Sequence, residues 1–197
     1  MKPVSVALFA SGRGSNAEQL LDGMRDGWIC GQPKLLITDR ECGAEELALE
    51  YECPVERLTP KQFGSRDEWN QAVVDAITTN RIEFIALCGY LRLIPSQLCT
   101  LFPNRIVNIH PGPLPQFGGN GMWGHHVHEA VIASGAKWSG PTVHYVNEEY
   151  DKGAIFDHVP VPVYSNDTPE TLAERVLCAE HRLYPLCVAK ILANLAQ

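Results

Sequence analysis

Short apolar, β-branched runs alternate along the chain with segments whose apolar residues recur at helical spacing. Residues 4–10 predict a first strand. Residues 15–27 predict a helix capped by Ser15 or Asn16. Further strands are predicted over residues 34–38, near Val55, and over residues 84–88, 105–109, 142–147 and 154–163.

Polar capping residues mark where later helices begin. The capping box at residues 65–68 predicts a helix to about residue 79. Thr168, followed by Pro169, predicts a last helix to about residue 195, with Pro185 as the place for a bend. Shorter helices are predicted over residues 44–51, 95–101 and 126–133. Because this alternation is typical of a parallel sheet with crossover helices, we predict an α/β, Rossmann-like single domain with a mostly parallel sheet and a long C-terminal helix.

The least regular stretch covers residues 111–124. It contains three prolines and five glycines. Long irregular loops are uncommon in compact domains unless they have a function. We therefore expect a functional loop or a lid here.

The composition suits one globular domain. The chain has 197 residues, 45% of them hydrophobic, and a net charge of −7. The acidic balance without a basic stripe argues against nucleic-acid binding, and no apolar run approaches the roughly 20 residues of a membrane span. Seven cysteines without a C-x-x-C pair, and no signal-peptide pattern, lead us to expect a cytoplasmic protein with reduced thiols.

The turn over residues 11–16, S-G-R-G-S-N, lies between the first strand and the first helix. Glycines let the backbone approach a ligand, and free N–H groups at a helix start attract an anion such as a phosphate. The turn also fits the loose dinucleotide pattern, with Asp39 where a ribose-binding acid would stand. Phosphate binding is the favoured interpretation, and a purely structural tight turn is the alternative.

Asn108 and His110 alternate at the end of a predicted strand, so their side chains share one face. In open α/β sheets, ligands bind at the carboxyl ends of the strands. A histidine there can transfer a proton, and an asparagine amide can stabilise an oxyanion. The two residues are either a catalytic pair or a buried structural pair.

Two further groups of polar residues have weaker interpretations. His144 lies on a predicted strand before an acidic turn that ends at Asp151, and a solvated turn is the favoured interpretation. Residues 125–129, H-H-V-H-E, raise the possibility of a metal site. His125 could pair with His128 or Glu129, but no third ligand is evident, and we expect no metal.

Six motifs keep one order and spacing across nearly the whole chain. They are S-G-x-G-S-N at residues 11–16, G-Y-L-R-L-I at 89–94, N-I-H-P at 108–111, T-V-H-Y-V at 142–146, D-K-G at 151–153 and A-E-H-x-x-Y-P at 179–185. Together they resemble the phosphoribosylglycinamide formyltransferases, folate-dependent enzymes of purine synthesis in the formyltransferase superfamily. The resemblance implies one catalytic domain over residues 1–197. Its N-terminal half would bind the nucleotide phosphate, and its C-terminal half would bind folate and carry out catalysis.

The resemblance also implies a reaction and a set of site residues. A formyl group would pass from 10-formyltetrahydrofolate to the amine of glycinamide ribonucleotide, without a metal, in a monomer or homodimer. The implied catalytic residues are Asn108, His110 and Asp151. The implied nucleotide-binding residues are Gly14, Ser15, Asn16 and Glu180. The implied folate-binding residues are Arg66, Leu91, Arg92, Leu93, Ile94, Asn108, Asn147, Glu148, Glu149, Tyr150 and Asp151.

In the implied reaction the amine adds to the formyl carbon and forms a tetrahedral intermediate with a negative oxygen. Asn108 and a protonated His110 would stabilise that oxygen, and His110 would pass a proton to the departing folate N10. Asp151 is expected to keep His110 charged near neutral pH.

Both implied substrates are anions, whereas the chain carries −7. Binding is therefore expected to rest on the helix N-terminus and on cations such as Arg13, Arg66 and Arg92.

The sequence departs from the family pattern in two places. Residues 118–124, G-G-N-G-M-W-G, look like an insertion beside the site. Within it, Trp123 either covers the folate or packs, and packing is favoured. Leu177 stands where many relatives have a polar residue, so one nucleotide contact is expected to be missing.

Other functions remain as alternatives. A formyl-folate hydrolase would use the same Asn-His-Asp set with water, but usually has a preceding regulatory domain, for which a first strand at Val4 leaves no room. A methionyl-tRNA formyltransferase would need a further basic domain. A non-catalytic nucleotide-binding module would need only the glycine turn, and an NAD-linked enzyme is the least favoured.

Overall fold

The computed structural model describes residues 2–196; Met1 and Gln197, the ends of the expected domain, lie outside this range. The strands within it are Val4–Ala10 (β1), Gly31–Thr38 (β2), Val55–Arg57 (β3), Phe84–Leu87 (β4), Ile106–His110 (β5), Trp138–Ser139 (β6), Thr142–Tyr145 (β7), Ile155–His158 (β8) and Val161–Pro162 (β9). The helices are Ser15–Arg25 (α1), Gly43–Glu50 (α2), Arg66–Thr79 (α3), Ser96–Leu101 (α4), His125–Ala133 (α5) and Pro169–Leu195 (α6). A short 3₁₀ helix covers Pro60–Gln62.

Seven of these strands form one sheet in the order β3-β2-β1-β4-β5-β7-β8 within residues 2–196. The strands from β3 to β5 are parallel, whereas β7 pairs in an antiparallel manner with both β5 and β8. In the pairing of β5 with β7, Asn108 lies opposite His144. The carboxyl ends of β1, β4 and β5 therefore share one edge of the sheet, where ligands bind in open α/β folds.

Apolar clusters cover both faces of the sheet. On one face α1 and α6 contribute side chains such as Leu20 and Val188. On the other face α3 contributes Trp69 and Ile77. Because β1 and β4 are buried on both faces, they are almost entirely apolar.

Helix α6 is tied to the centre of the sheet by Tyr184. Its hydroxyl lies 2.8 Å from the Leu87 carbonyl oxygen and 3.2 Å from that of Val107. Tyr184 is fully buried, so these contacts satisfy a hydroxyl that would otherwise be costly to bury. They fix α6 against β4 and β5 and so place its polar residues beside the cleft.

The predicted α/β class and long last helix are confirmed. Three local predictions are wrong. The cap of α1 is Gly14 in a left-handed conformation (φ 83°), not Ser15 or Asn16. The strand predicted over residues 154–163 is interrupted and forms β8 and β9. In the capping box, the Ser65 hydroxyl accepts from the Glu68 N–H, but the Glu68 carboxylate accepts from Gly64, one residue earlier than expected.

Across residues 2–196, the structure contains no helix that is both long and apolar enough to span a membrane.

Candidate active site

A cleft of about 750 Å³ lies at the carboxyl ends of β1, β4 and β5. Its walls include residues 11–16 after β1, residues 87–94 after β4 and residues 108–111 at the end of β5. The turn predicted to bind phosphate and the predicted catalytic pair thus face the same cavity.

The turn over residues 11–16 holds the start of α1 at the cleft. A Cβ atom on Gly14 would lie 2.8 Å from the Ala44 Cβ, and its φ of +83° disfavours other residues. Asn16 is buried, and its amide nitrogen donates to Oε2 of the Glu180 carboxyl group at 2.6 Å. Its amide oxygen has no partner within residues 2–196. The predicted nucleotide-binding residues Gly14, Ser15, Asn16 and Glu180 therefore lie together.

Asp39 does not line the cleft, in contrast to the ribose-binding position considered from the sequence. It follows the last residue of β2, and its side chain has no exposed surface. Arg40 and Arg92 both donate to its carboxylate. Asp39, the acid that a dinucleotide site would need, is therefore already hydrogen-bonded to two arginines of the protein.

His110 is 3% exposed at the end of β5. Its Nε2 lies 2.7 Å from the Phe117 carbonyl oxygen, and its Nδ1 lies 3.5 Å from Asp151 Oδ2. Because a carbonyl only accepts hydrogen bonds, Nε2 carries a hydrogen that it donates to Phe117. The nitrogen that can gain and lose a proton is therefore Nδ1, on the side of Asp151.

Asp151 is brought to His110 by an unusual backbone turn. Its own φ is +56°, a left-handed conformation that aspartate adopts more readily than most residues. The Gly119 N–H donates to Oδ2 at 3.0 Å. A Cβ on Gly153 would lie 1.7 Å from the Tyr145 carbonyl oxygen, so the turn requires glycine there.

The pKa values of His110 and Asp151 move in the same direction. Burial lowers the pKa of His110, and this outweighs the opposite effects of Asp151 and the Phe117 carbonyl. Burial raises the pKa of Asp151, but its contacts with His144 and His110 and the hydrogen bond from the Gly119 N–H together bring this pKa below its ordinary value. The expectation that Asp151 keeps His110 charged near neutral pH is therefore wrong. The pair at rest is a neutral imidazole beside a carboxylate.

His144 joins this group, although the sequence favoured a solvated turn and left His144 out of the site. It is 2% exposed and lines the cleft. Its Nδ1 lies 2.9 Å from the Tyr145 carbonyl oxygen, so Nδ1 carries a hydrogen. Its Nε2 lies 3.1 Å from the Asn108 amide nitrogen and 3.5 Å from Asp151 Oδ1. With Nε2 accepting from Asn108, the amide nitrogen keeps its second hydrogen for a ligand.

The predicted folate-binding residues divide into three groups. The first group lines the cleft and consists of Leu91, Arg92, Leu93, Ile94, Asn108, Glu149, Tyr150 and Asp151. Arg66 instead lines a neighbouring cavity of about 400 Å³, whose wall shares Leu91, Arg92, Leu93 and Tyr150 with the cleft. Asn147 and Glu148 are exposed and line neither cavity. Asn147 caps the acidic turn by accepting from the Glu149 N–H at 3.0 Å.

The insertion at residues 118–124 also contributes to the cleft. Residues 119–124 line it, and Trp123 is 50% exposed with its ring edge-on to His126 at 5.0 Å. Trp123 therefore packs against His126 with part of its ring, and the remainder of its surface is exposed. Leu177 lines the cleft from α6.

The histidine cluster at the start of α5 contacts neighbouring glutamates. His125 Nε2 lies 3.2 Å from a Glu129 oxygen and 3.7 Å from a Glu170 oxygen. His128 points inward, and burial lowers its pKa to about 4. Within residues 2–196, no three His, Cys, Asp or Glu side chains are grouped as metal ligands.

Glu180 should make stability depend on pH. Burial raises its pKa from 4.5 to about 7. As pH rises from 4.5 to about 7, the unfolded chain ionises this group while the folded chain keeps it neutral. The free energy of unfolding of the native protein should therefore fall by on the order of 3 kcal/mol over this range. Glu180→Gln should lack this loss. Urea unfolding at several pH values in this window measures the difference.

The control for Glu180→Gln is Glu174→Gln, an exposed acid on the same helix. If the difference in free energy of unfolding between the native protein and Glu180→Gln stayed constant with pH, it would contradict the assignment of a neutral buried carboxyl group.

The combination of a mostly parallel sheet, a glycine turn and an Asn-His-Asp group at one edge defines a class of enzyme fold, and the chain belongs to the formyl transferase family. The sequence profile of that family, described as formyl transferase, matches residues 4–188. Within the family, the similarity is to phosphoribosylglycinamide formyltransferases, as the sequence motifs indicated. The chain is 33% identical to the one from Bacillus subtilis, over 94% of this chain and 93% of that protein.

A chloroplastic phosphoribosylglycinamide formyltransferase from Arabidopsis thaliana is 45% identical over 94% of this chain. The chain spans 64% of that relative and 58% of the one from Vigna unguiculata. The crystal structure of phosphoribosylglycinamide formyltransferase from Bacillus halodurans matches with a TM-score of 0.89 and 38% identity, over 96% of this chain and 95% of that one. The crystal structure of phosphoribosylglycinamide formyltransferase from Brucella melitensis matches with a TM-score of 0.89 and 36% identity, over 98% of this chain and 97% of that one.

Proposed function

We propose that the protein transfers the formyl group of 10-formyltetrahydrofolate to the amine of glycinamide ribonucleotide, a step of purine biosynthesis. The observation that carries this proposal is the convergence of Asn108, His110 and Asp151 with the turn over residues 11–16 in one cleft. A binding module would need the turn alone. The similarity to phosphoribosylglycinamide formyltransferases supports the same substrates.

In the proposed binding mode, the nucleotide phosphate lies at the start of α1, where unpaired N–H groups and the helix dipole favour an anion. Glu180 and Asn16 would contact the ribose end of the nucleotide. The formyl-folate would lie along residues 91–94 and Tyr150, with its distal end towards Arg66. The phosphate site thus belongs to the N-terminal half of a domain over residues 1–197. Most of the catalytic group comes from its C-terminal half.

In the proposed mechanism, the amine nitrogen bonds to the formyl carbon and the carbonyl oxygen becomes negative. The free amide hydrogen of Asn108 donates to that oxygen. His110 begins neutral. Its Nδ1 accepts the proton that the amine nitrogen releases, and the ring becomes an imidazolium beside Asp151. It then donates this proton to N10 as the bond between N10 and the formyl carbon breaks. Asp151 stabilises the charged state of His110, and no metal takes part.

The location of the protein and its partners are proposed from fewer observations. The seven cysteines are free thiols, which supports the reducing cytoplasm as the location. The relatives include both chloroplastic and bacterial proteins. The partners we propose are the two small-molecule substrates, with the protein acting as a monomer or a homodimer.

Mass spectrometry of the nucleotide after incubation with 10-formyltetrahydrofolate tests the proposal. The nucleotide should gain the mass of one formyl group in place of a hydrogen. The matched control is the double variant Asn108→Ala/His110→Ala, which should still bind the nucleotide but should leave its mass unchanged. A native protein that binds the nucleotide and does not change its mass would contradict the proposal.

Arg13 should strengthen binding of the nucleotide phosphate. Within residues 2–196, Arg13 and Arg92 are the arginines that line the cleft, and only Arg92 has a carboxylate partner. Arg13→Gln should therefore raise KM for the nucleotide by about tenfold, because a charge-assisted hydrogen bond to an anion is lost, and should leave kcat nearly unchanged. Steady-state kinetics at low and high salt measure this effect, which should shrink as salt rises.

Arg25→Gln is the control for Arg13, since Arg25 lies at the other end of α1 and pairs with Asp22 and Asp26. An unchanged nucleotide KM in Arg13→Gln would place the phosphate elsewhere.

A further inference from the structure

Asp39 is an enclosed carboxylate between two arginines. Arg40 donates to it through Nε at 3.1 Å and Nη2 at 2.8 Å. Arg92 donates through Nε at 2.8 Å, from a position 53 residues further along the chain. Burial alone would raise the pKa of Asp39, but hydrogen bonds from Arg40, Ser11 and Arg92 hold it below its ordinary value. Asp39 is therefore a carboxylate ion at neutral pH.

Arg92 is the member of this group that faces both cavities. It lines the main cleft and the smaller cavity that contains Arg66. Asp39 holds its Nε, and the structure gives its two terminal nitrogens no hydrogen-bond partner within residues 2–196. One carboxylate between two guanidinium groups leaves one net positive charge. That charge is held at the junction of the cavities, with free donors for an anionic ligand.

Ser11 extends the group to the turn at the start of α1. Its backbone N–H donates to the Gly89 carbonyl oxygen at 3.2 Å. Its hydroxyl oxygen accepts from the Leu91 N–H at 3.0 Å, and its hydroxyl also faces Asp39. The first residue of the proposed phosphate turn is thus bonded to the first residue of the proposed folate segment.

We propose that Asp39 is a positioning residue that couples the two substrate-binding segments of the cleft. It orients Arg92 directly, and through Ser11 it fixes residues 91–94 relative to the turn over residues 11–16. Asp39 touches neither substrate and takes no part in proton transfer. This inference rests on the proposed function, because it assigns a different substrate to each of the two segments.

The first test is the steady-state kinetics of Asp39→Asn, which keeps the shape of the side chain and removes its charge. KM for formyl-folate should rise by about tenfold, because Arg92 loses its ionic anchor, and KM for the nucleotide should rise by about threefold. The value of kcat should stay within about twofold, since the reacting groups are unchanged.

Arg40→Gln is the matched control. Arg40 bonds to the same carboxylate but lines neither cavity. Both KM values should therefore stay within about twofold in Arg40→Gln. If Arg40→Gln raised them as much as Asp39→Asn does, Asp39 would be a general structural counter-ion, and the coupling proposal would be overturned. Unchanged KM values in Asp39→Asn would overturn it equally.

A double-mutant cycle tests whether Asp39 acts through Arg92. Asp39→Asn combined with Arg92→Gln should raise the folate KM no further than Arg92→Gln alone, whereas independent residues would give multiplied effects. If Asp39→Asn does not fold, Ser11→Ala decides the question. It removes the hydrogen bond from the Leu91 N–H to the Ser11 hydroxyl oxygen and should raise both KM values.

Calorimetric titration with a non-reactive formyl-folate analogue separates this inference from the proposed function. A native protein that binds the analogue but transfers no formyl group would contradict the proposed function. Weaker binding of the analogue by Asp39→Asn, but not by Arg40→Gln, would still support the positioning role. Equal binding by all three proteins would contradict it.

Discussion

Replacing His110 with alanine is expected to lower kcat by about 10²–10⁴-fold and to leave nucleotide affinity within about twofold. In the proposed mechanism, Nδ1 of His110 carries the proton from the amine to the departing folate nitrogen. Nε2 is committed to the Phe117 carbonyl oxygen at 2.7 Å. Single-turnover kinetics and equilibrium binding of the nucleotide measure the two quantities separately.

His126→Ala is the matched control for His110→Ala, because His126 is exposed at the start of α5 and pairs with Glu129. Its kcat should stay close to that of the native protein. The pH profile adds a second check. Because burial lowers the pKa of His110, activity should persist below the pH at which an ordinary histidine becomes charged, and should fall only at more acidic pH. A His110→Ala variant with kcat near the native value would contradict the mechanism.

Asn108→Ala is expected to lower kcat by about 10²–10³-fold with a small change in either KM, since one oxyanion donor typically contributes about 2.7–4 kcal/mol. The amide nitrogen of Asn108 lies 3.1 Å from His144 Nε2. That contact fixes the orientation of the amide and leaves one hydrogen for the developing oxyanion. Steady-state kinetics with both substrates varied measure the loss.

Asn108→Asp is the informative comparison, because it keeps the shape of the side chain and replaces the donor with a negative charge. It should be at least as inactive as Asn108→Ala, since the carboxylate would repel the oxyanion. If Asn108→Asp retained most of the native kcat, the negative oxygen of the intermediate could not form at this position.

The sequence contained enough information for most of the fold, because β1 and β4 are almost entirely apolar runs and the helices α3 and α6 carry clear caps. The elements that were missed or misplaced are those whose local sequence contains no recognisable pattern. Strand β6 has two residues, too few for any periodicity. The cap of α1 depends on a left-handed Gly14, which provides no side chain to detect.

The site could be predicted where one strand alone defines it. Asn108 and His110 share a face because side chains alternate along a strand. The contribution of His144 depends instead on the antiparallel pairing of β7 with β5, which brings together residues 36 positions apart. Such pairing cannot be derived from one sequence by pattern. The motif resemblance supplied Asp151, whose position depends on a backbone turn with φ of +56°.

The electrostatics of the site could not be predicted from residue types. A carboxylate beside a histidine is expected to raise the pKa of that histidine. Here burial of His110 has the larger effect and lowers the pKa. In the same way, Asp39 has the right sequence position for a ribose contact, but Arg92 reaches it from 53 residues away and encloses it. In the first case burial decides the outcome and in the second a long-range contact does, and only the folded chain defines either of them.

The most direct test of formyl transfer to the nucleotide amine is a spectrophotometric assay of folate release from a 10-formyl-folate analogue, with and without glycinamide ribonucleotide. We predict rapid release when the nucleotide is present and almost none in its absence, because the amine, and not water, attacks the formyl carbon. Release at the same rate in both cuvettes would contradict this account and make the protein a hydrolase of formyl-folate.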